Sequence, residues 1–452
     1  MVASREVCMA ILRKGPRGVG TGAANGYPGP MFETTTLPNG VRILTARMDG
    51  APSVAVFVGL AAGSRYEQPS AAGIAHFAEH MFFKGTERRP TARDISAEID
   101  GIGGEFNAFT GKELTAYYVK CAAGSASVAI DVLSDMLLDS RFDADEIERE
   151  KGVISEEINM YLDTPRDLIG QVHDDLRFGD TPLGRPIIGT KETVNAATRE
   201  TFTDYLGTWY RPERMVIGLG GAVTDAMVED VAARFGHLEA VPTPAPPATE
   251  LPEISGPTVR IERRDSDQAH LILSVGGYPV GHPDRYVLSV LQAVLGGGMS
   301  SRLFTEVRER RGLAYYVFAS HAGYTDAGAL YVQAGVDTKR IELAVETIWS
   351  ELRRMATEPV PDDEIAKAKR YITGRTVLGV EDARGMILHG LRRALIEGAP
   401  VELEEIFAGI EAVTAADVAR VAGDLIRRDR AALAVIGPFD ESDGLRDAIG
   451  ED

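Results

Sequence analysis

The sequence predicts an α+β fold built from two homologous domains, each a largely antiparallel sheet packed with helices. Three observations lead to this prediction. Short apolar runs typical of strands are followed by longer amphipathic stretches typical of helices. A proline-rich segment divides the chain into halves of similar size. The two halves also repeat the same order of elements, as an old duplication would.

The individual elements follow from hydrophobic patterning. Strands are predicted for VRILTARM (41–48), SVAVFVGLAAG (53–63) and HLILSVGG (270–277), which are rich in β-branched residues. Helices are predicted for ASVAIDVLSDMLLD (126–139) and IELAVETIWSELRRMA (341–356). Because helices follow groups of strands and do not alternate tightly with them, helices packed on antiparallel sheets are expected.

The segment 241–257, VPTPAPPATELPEISGP, contains six prolines and can form neither a helix nor a central strand. We therefore predict a linker there. The expected organisation is a leader (1–30), an N-terminal domain (31–240), the linker (241–257) and a homologous C-terminal domain (258–452). The leader is basic and rich in Gly and Pro near its end. It is expected to be disordered, with a translation start at Met31 or a transit peptide as the alternatives.

Three pairs of segments indicate the duplication. Segments 141–158 and 359–377 each have an acidic turn before a long helix. Segments 113–124 and 312–323 each contain a strand with the run YYV. Segments 194–221 and 410–438 each have a helix followed by an apolar strand.

Composition excludes several classes of function. The formal net charge of −19 disfavours nucleic acid and anionic membranes as partners. No run of 18 apolar residues predicts a membrane span. The two cysteines, Cys8 and Cys121, provide neither a disulfide framework nor a cysteine-rich metal site. A bacterial cytoplasm is the expected location, with the mitochondrial matrix as the second choice.

The pentapeptide HFAEH (76–80) is the first candidate site. On a helix, His76, Glu79, His80 and Phe83 share one face, separate from an apolar stripe. Histidines four residues apart reach one ion from adjacent turns, and catalytic zinc takes three protein ligands. A buried helix that merely carries two histidines fits the pentapeptide as well, so a third ligand is needed.

The predicted helix 144–161 supplies carboxylates. Glu150 and Glu157 fall on one otherwise apolar stripe, whereas Glu156 points elsewhere. The apolar members of that stripe are Val153, Ile154, Ile158 and Tyr161. Ionised glutamates among apolar residues are costly unless a metal or another cation neutralises them. Salt bridges with arginines are the alternative, but together with the histidines the pattern predicts a zinc site.

These motifs resemble the inverzincin metallopeptidases, the H-x-x-E-H family that includes pitrilysin, insulin-degrading enzyme and the mitochondrial processing peptidase. HFAEH is followed by Glu157 within EREKGVISEEI, and GGEFNAFTGKELTAYYV (103–119) and PLGRPIIGTKETV (182–194) also match the family. The resemblance covers about residues 32–440. The chain length is similar to that of half-size, bacterial processing-peptidase-like members.

The resemblance implies roles for individual residues. His76, His80 and Glu157 would bind Zn²⁺, and Glu79 would be the general base. Glu150 would support a ligand histidine. The substrate peptide would lie along Asn107 and Ala108, with Phe83 near its side-chain pocket.

The second half has no H-x-x-E-H motif, but VRERRGLAYY (307–316) resembles the family's substrate-contacting arginine–tyrosine pair, here Arg308 and Tyr315. Without the resemblance, Arg308 would be interpreted as part of a solvated basic helix end and Tyr315 as a core residue of a strand. Half-size members close their chamber with a second subunit, so a clamshell homodimer is expected, with a heterodimer containing an inactive sister chain as the alternative.

The predicted function is zinc-dependent endopeptidase activity on unfolded peptides inside that dimeric chamber. A non-catalytic structural homologue and a mitochondrial presequence-processing subunit are the alternatives.

Overall fold

The computed structural model describes residues 30–440 and 442–450. All but the last residue of the predicted leader lies outside this range. The described strands are β1 (Glu33–Thr36), β2 (Arg42–Arg47), β3 (Ser53–Leu60), β4 (Glu105–Thr110), β5 (Thr115–Ala122), β6 (Met215–Gly221), β7 (Thr258–Arg263), β8 (Gln268–Gly276), β9 (Ala314–Gly323), β10 (Gly328–Asp337) and β11 (Ala432–Gly437).

The described α-helices are α1 (Ile74–Phe82), α2 (Ala92–Gly101), α3 (Ala126–Leu138), α4 (Ala144–Asp163), α5 (Pro165–Phe178), α6 (Lys191–Ala196), α7 (Arg199–Trp209), α8 (Asp225–Phe235), α9 (Arg285–Gly296), α10 (Ile341–Thr357), α11 (Asp362–Gly379), α12 (Ala383–Ile396), α13 (Leu403–Ala412), α14 (Ala415–Leu425) and α15 (Asp443–Ala448). A π-helical segment, Phe304–Arg310, precedes β9. Within the described ranges, no helix combines the length and apolar character that crossing a membrane requires.

The strands form two sheets with the same spatial plan. Their orders are β1-β2-β6-β3-β5-β4 and β7-β11-β8-β10-β9. Each sheet contains one parallel pair, β2 with β6 and β7 with β11, and its other pairs are antiparallel. The α+β prediction with two related, largely antiparallel sheets is therefore confirmed.

One predicted equivalence between the halves is wrong. The sheet orders make β4 the counterpart of the edge strand β9, and β5 the counterpart of β10. The sequence comparison instead paired 113–124, which contains β5, with 312–323, which contains β9. Both segments carry a YYV run, and a short apolar-aromatic pattern does not distinguish the two strands of a hairpin.

The sheets divide along the chain at the linker, but two helices cross over. Helix α5 from the first half packs on β8 and β11 of the second sheet. Helix α12 from the second half packs on β2, β3 and β6 of the first sheet. Gly218 and Gly220 of β6 allow this close approach, because a Cβ atom at either position would lie within 3 Å of α12 atoms.

The linker 241–257 forms neither helix nor strand. Hydrogen bonds hold it to both halves. Arg65 donates to the Pro247 carbonyl at 2.8 Å, and the Thr249 amide donates to the Asp326 carboxylate at 2.9 Å. The linker is thus fixed along the boundary between the two sheets.

Candidate metal centre

Helix α1 carries HFAEH and starts immediately after strand β3 and two short turns. Its N-terminus is fixed by Glu67, whose carboxylate accepts the amides of Gly73 and Ala75, both at 2.8 Å. Gly73 adopts a φ of 93°, which glycine permits without strain. The helix buries Phe77, Ala78 and Met81 in the core, which leaves the histidine face toward the candidate site. Sequence reasoning missed Glu67, because only the fold brings it to these amides.

Helix α4 lies beside α1 and presents its carboxylates to the histidines. Glu150, Ile154 and Ile158 are buried, and Glu156 is exposed, as the helical pattern predicted. The buried stripe is narrower than predicted, since Val153 and Tyr161 are exposed.

The side chains of His76, His80 and Glu157 converge. Their potential ligand atoms all lie within 4.8 Å of one another. The distance from His76 Nε2 to Glu157 Oε1 is 3.8 Å, and that from His80 Nε2 to Glu157 Oε2 is 3.6 Å. Both distances are too long for hydrogen bonds. They approach the separation of about 3.3–3.5 Å between tetrahedral ligands whose bonds to zinc are about 2.0–2.2 Å long. This donor set, two imidazoles and one carboxylate, therefore fits Zn²⁺.

Electrostatics favour neutral imidazole at this place. Burial lowers the pKa of His76 to about 4, and the neighbouring His80 contributes to the shift. A histidine binds metal only when its imidazole is deprotonated. His76 is therefore in its ligating form throughout the physiological pH range.

Glu150 orients the His80 ring through its Nδ1 atom, on the side opposite Nε2. Its Oε1 atom lies 2.8 Å from His80 Nδ1, and its Oε2 atom pairs with Lys84. Burial works against the charge of Glu150, but the hydrogen bonds from His80 and Lys84 hold its pKa below the ordinary value. The ionised carboxylate fixes the ring so that Nε2 faces Glu157. Lys84 was not predicted, since nothing in its local sequence indicates the contact.

Glu79 lies on the same face of α1 and is held by strand β4. Thr110, the last residue of that strand, donates a hydrogen bond of 2.5 Å to Glu79 Oε2. Burial raises the pKa of Glu79 above its ordinary value, and the negative charge of Glu157 raises it further. The hydrogen bond from Thr110 acts in the opposite direction but does not cancel the rise. Glu79 is therefore a positioned carboxylate with increased basicity. The role of Thr110 was also missed by sequence reasoning.

A cavity of about 680 Å³ opens beside these residues. His76, Glu79 and Thr110 form one wall, and α5 contributes Asp167 and Asp174 to another. Further lining comes from residues 186–192, which form a loop and the start of α6. The cavity is large enough for several side chains of an extended peptide.

The predicted substrate-contacting residues of the first half lie at the sheet edge next to the site. Asn107 is exposed and Ala108 is half-buried on β4, the outermost strand of the first sheet. Phe83 follows the last residue of α1 and packs against Phe106, with 5.5 Å between ring centroids. Unpaired backbone groups of such an edge strand can pair with an added peptide strand.

Arg308 and Tyr315 lie in the second half of the chain, outside the candidate ligand set. The Arg308 guanidinium stacks over Phe304 at 4.8 Å, in the π-helical segment. Tyr315 is 62% exposed on β9, the edge strand that corresponds to β4. Tyr315 is therefore not the core strand residue of the alternative interpretation. Among the described residues, neither side chain forms an ion pair or hydrogen bond with the candidate metal centre.

Comparison with known proteins identifies the family. Residues 42–191 match the model for insulinase (peptidase family M16), and residues 196–372 match that for the peptidase M16 inactive domain. The uncharacterized zinc protease YmxG of Bacillus subtilis is 38% identical over 409 residues, which cover 90% of this chain and 98% of that protein. An uncharacterized zinc protease of Streptomyces coelicolor is 37% identical over 446 residues, or 97% of this chain and 95% of that protein.

Solved structures share the fold. A protease from Helicobacter pylori has a TM-score of 0.83 and 20% identity, and the match covers 90% of this chain and 99% of the other. A peptidase M16 inactive domain from Pseudomonas fluorescens has the same score and identity, with 90% and 98% coverage. The resemblance that the H-x-x-E-H motif indicated is thereby confirmed, and the chain belongs to peptidase family M16, the pitrilysin-like metallopeptidases.

Proposed function

We propose that this protein is a zinc-dependent endopeptidase that hydrolyses unfolded peptides. The observation that carries the proposal is the convergence of His76, His80 and Glu157 beside a second, hydrogen-bonded carboxylate, Glu79. A structural zinc site would need four protein ligands and no neighbouring base. A hydrolytic site requires three protein ligands, a carboxylate that is not itself a ligand, and an adjoining cavity.

Zinc at this place would supply the Lewis acidity that activates water and polarises a peptide carbonyl. Glu79 would take the proton from the attacking water and pass it to the leaving amine. The Thr110 hydrogen bond would hold one carboxylate oxygen, which leaves the other oxygen free for the proton. Glu150 and Lys84 would keep the His80 ring oriented while charge changes during the reaction.

The substrate would bind in an extended conformation along β4. Asn107 and Ala108 lie on this edge, and Thr110 at its end holds Glu79. A peptide added as a further strand would therefore run directly toward the catalytic carboxylate. Side chains beyond the cleavage point would enter the cavity lined by Asp167 and Asp174.

A homodimer would complete the site. Tyr315 lies on the edge strand β9 and Arg308 on the π-helical segment before it. Both side chains are exposed, so they are available to a partner molecule. In a clamshell dimer, each metal centre would receive these two side chains from the other subunit. An enclosed chamber would admit unfolded peptides and exclude folded proteins. Pairing with an inactive sister chain is the alternative arrangement.

Metal analysis combined with a quenched-peptide assay tests the proposal. The purified protein should contain about one zinc per chain, and chelation should abolish cleavage reversibly. Glu79→Gln should retain zinc and lose nearly all activity, whereas Glu156→Gln, on the exposed side of α4, should change neither. A zinc-loaded wild type without peptidase activity, or an active Glu79→Gln variant, would contradict the assignment.

A further inference from the structure

Arg177 is a buried cation without a counter-charge. Four lysine or arginine side chains are buried among the described residues: Arg65, Arg89, Lys112 and Arg177. The first three have at least one carboxylate within ion-pair distance. Arg177 is only 9% exposed and has no such partner in the described part of the chain. Buried arginines are almost always paired, so this exception requires an explanation.

The local contacts of Arg177 compensate only part of its positive charge. Its Nη1 atom donates to the Arg430 carbonyl at 3.1 Å, and its position in the last turn of α5 is favoured by the helix dipole. Its Nη2 atom lies close to Gly276 at the end of β8. A single carbonyl and a partial dipole do not balance a full positive charge. Burial and the adjacent Arg430 accordingly lower the pKa of Arg177 to about 10.

A cavity of about 380 Å³ lies over this guanidinium. Its lining includes Arg177 from the first half, Arg430 from the second and linker residues 251–254. Asp429 also borders it, but that carboxylate is paired with Arg427 at 2.6 Å. Glu253 of the linker is exposed and forms no ion pair among the described residues. The walls therefore combine two arginines, one of them deeply buried, with apolar linker side chains and two carboxylates at exposed positions.

We propose that Arg177 and Arg430 bind a small oxyanion, phosphate or carboxylate, in this cavity beneath the linker. The guanidinium group presents parallel N–H donors that match such oxygens. The anion would replace the missing counter-charge and would join both halves of the chain to the linker. It would also stabilise the C-terminal end of α5. Asp167, near the N-terminal end of the same helix, lines the cavity beside the candidate metal centre. Ten residues of helix separate the two positions, a distance of about 15 Å.

Thermal unfolding of the full zinc-loaded chain tests this proposal at constant ionic strength. Phosphate, phenyl phosphate and acetate should be titrated separately against chloride. A ligand that binds only the folded state begins to raise the melting temperature near its dissociation constant, and above it the rise follows the logarithm of the ligand concentration. We expect this logarithmic rise for at least one of the three anions, and the series distinguishes inorganic phosphate, a phosphomonoester and a carboxylate as the preferred ligand.

Variants localise the effect. Arg177→Gln should weaken the apparent affinity for the preferred anion by about tenfold or more. Arg430→Gln should weaken it as well, and because Arg430 is exposed, this variant should fold even if the first does not. Arg375→Gln, at an exposed position on α11, is the matched control and should bind like the wild type. Glu253→Gln should strengthen binding, because it removes a competing negative charge from the cavity.

Two results would overturn the proposal. Salts that are merely excluded from the protein surface raise the melting temperature in proportion to their concentration and to the same extent in all variants. A rise of that kind, or none at all, means that no anion site exists. If Arg177→Gln and Glu253→Gln instead destabilise the protein equally and non-additively, without any dependence on anions, then Glu253 is the counter-charge.

Discussion

Replacement of Glu150 by glutamine should weaken zinc binding while it leaves the three ligands in place. Glutamine keeps the size of the side chain, and its amide oxygen can still accept from His80 Nδ1. The variant loses the negative charge, and its amide N–H₂ would face the Lys84 ammonium in place of a carboxylate oxygen. The side chain of Glu150 is only 5% exposed, so water cannot repair this mismatch well.

The expected loss of zinc affinity follows from the contacts of Glu150. Glu150 contacts His80 at 2.8 Å and no other ligand of the proposed set. Loss of one such supporting group typically costs 10–100-fold in metal affinity. This corresponds to about 1.4–2.8 kcal/mol. Peptidase activity at saturating zinc should be affected less than zinc affinity, because His76, His80, Glu157 and the base are unchanged.

Competition with a chromophoric chelator measures the affinity directly. Glu148→Gln is the matched control, since Glu148 lies on the same helix, is largely exposed and pairs with Lys151. Circular dichroism should show both variants folded. If Glu150→Gln binds zinc as tightly as the Glu148→Gln control does, the hydrogen bond to His80 does not orient a metal ligand, and the reasoning fails.

Three further outcomes are expected. In the proposed homodimer, mixing inactive Glu79→Gln with inactive Tyr315→Phe chains should restore about one quarter of wild-type activity after subunit exchange, whereas no recovery would indicate sites formed within one chain. Arg65→Leu should lower the free energy of unfolding by about 3–5 kcal/mol in urea denaturation, since it leaves the buried carboxylate of Glu113 unpaired; a loss below 1 kcal/mol would refute this. Burial opposes the charge of Asp131, but hydrogen bonds from three arginines lower its pKa to about 2, below its ordinary value of 3.8. Its stabilisation is thus complete above pH 3.8 and is lost as the pH falls through about 2, so Asp131→Asn should be destabilised at pH 7 and approach the wild type near pH 2.

Local patterns were sufficient to predict the parts of the site that lie on one helix. The spacing in HFAEH fixed the common face of His76, Glu79 and His80, because helical geometry leaves no other arrangement. The same geometry separated Glu157 from Glu156 on α4. The convergence of these two helices does not follow from spacing alone; it was inferred from the chemistry of two histidines and two glutamates on an apolar stripe, and the family resemblance agreed with it.

Contacts between distant segments could not be read from the sequence. Thr110 reaches Glu79 only because β4 ends beside α1, and Glu67 caps α1 only because a turn folds back on the helix. Neither residue has a distinctive neighbourhood in the chain. The wrong pairing of β5 with β9 has a related cause, since adjacent strands of one hairpin share an apolar-aromatic pattern and only the sheet order separates them.

The crossed helices explain why a half without metal ligands still matters for the metal centre. Glu157 lies on α4, and the single residue Thr164 connects that helix to α5. Helix α5 buries apolar side chains against the second sheet, and its Arg166 stacks on Tyr316 of β9 at 4.7 Å. The direction of α4, and with it the position of Glu157, therefore depends on the second sheet. A first half expressed alone would leave that apolar face of α5 exposed to water and would lose the support of its carboxylate ligand. Both halves would thus be required to form the proposed three-ligand site, although only the first half would contribute ligands to it.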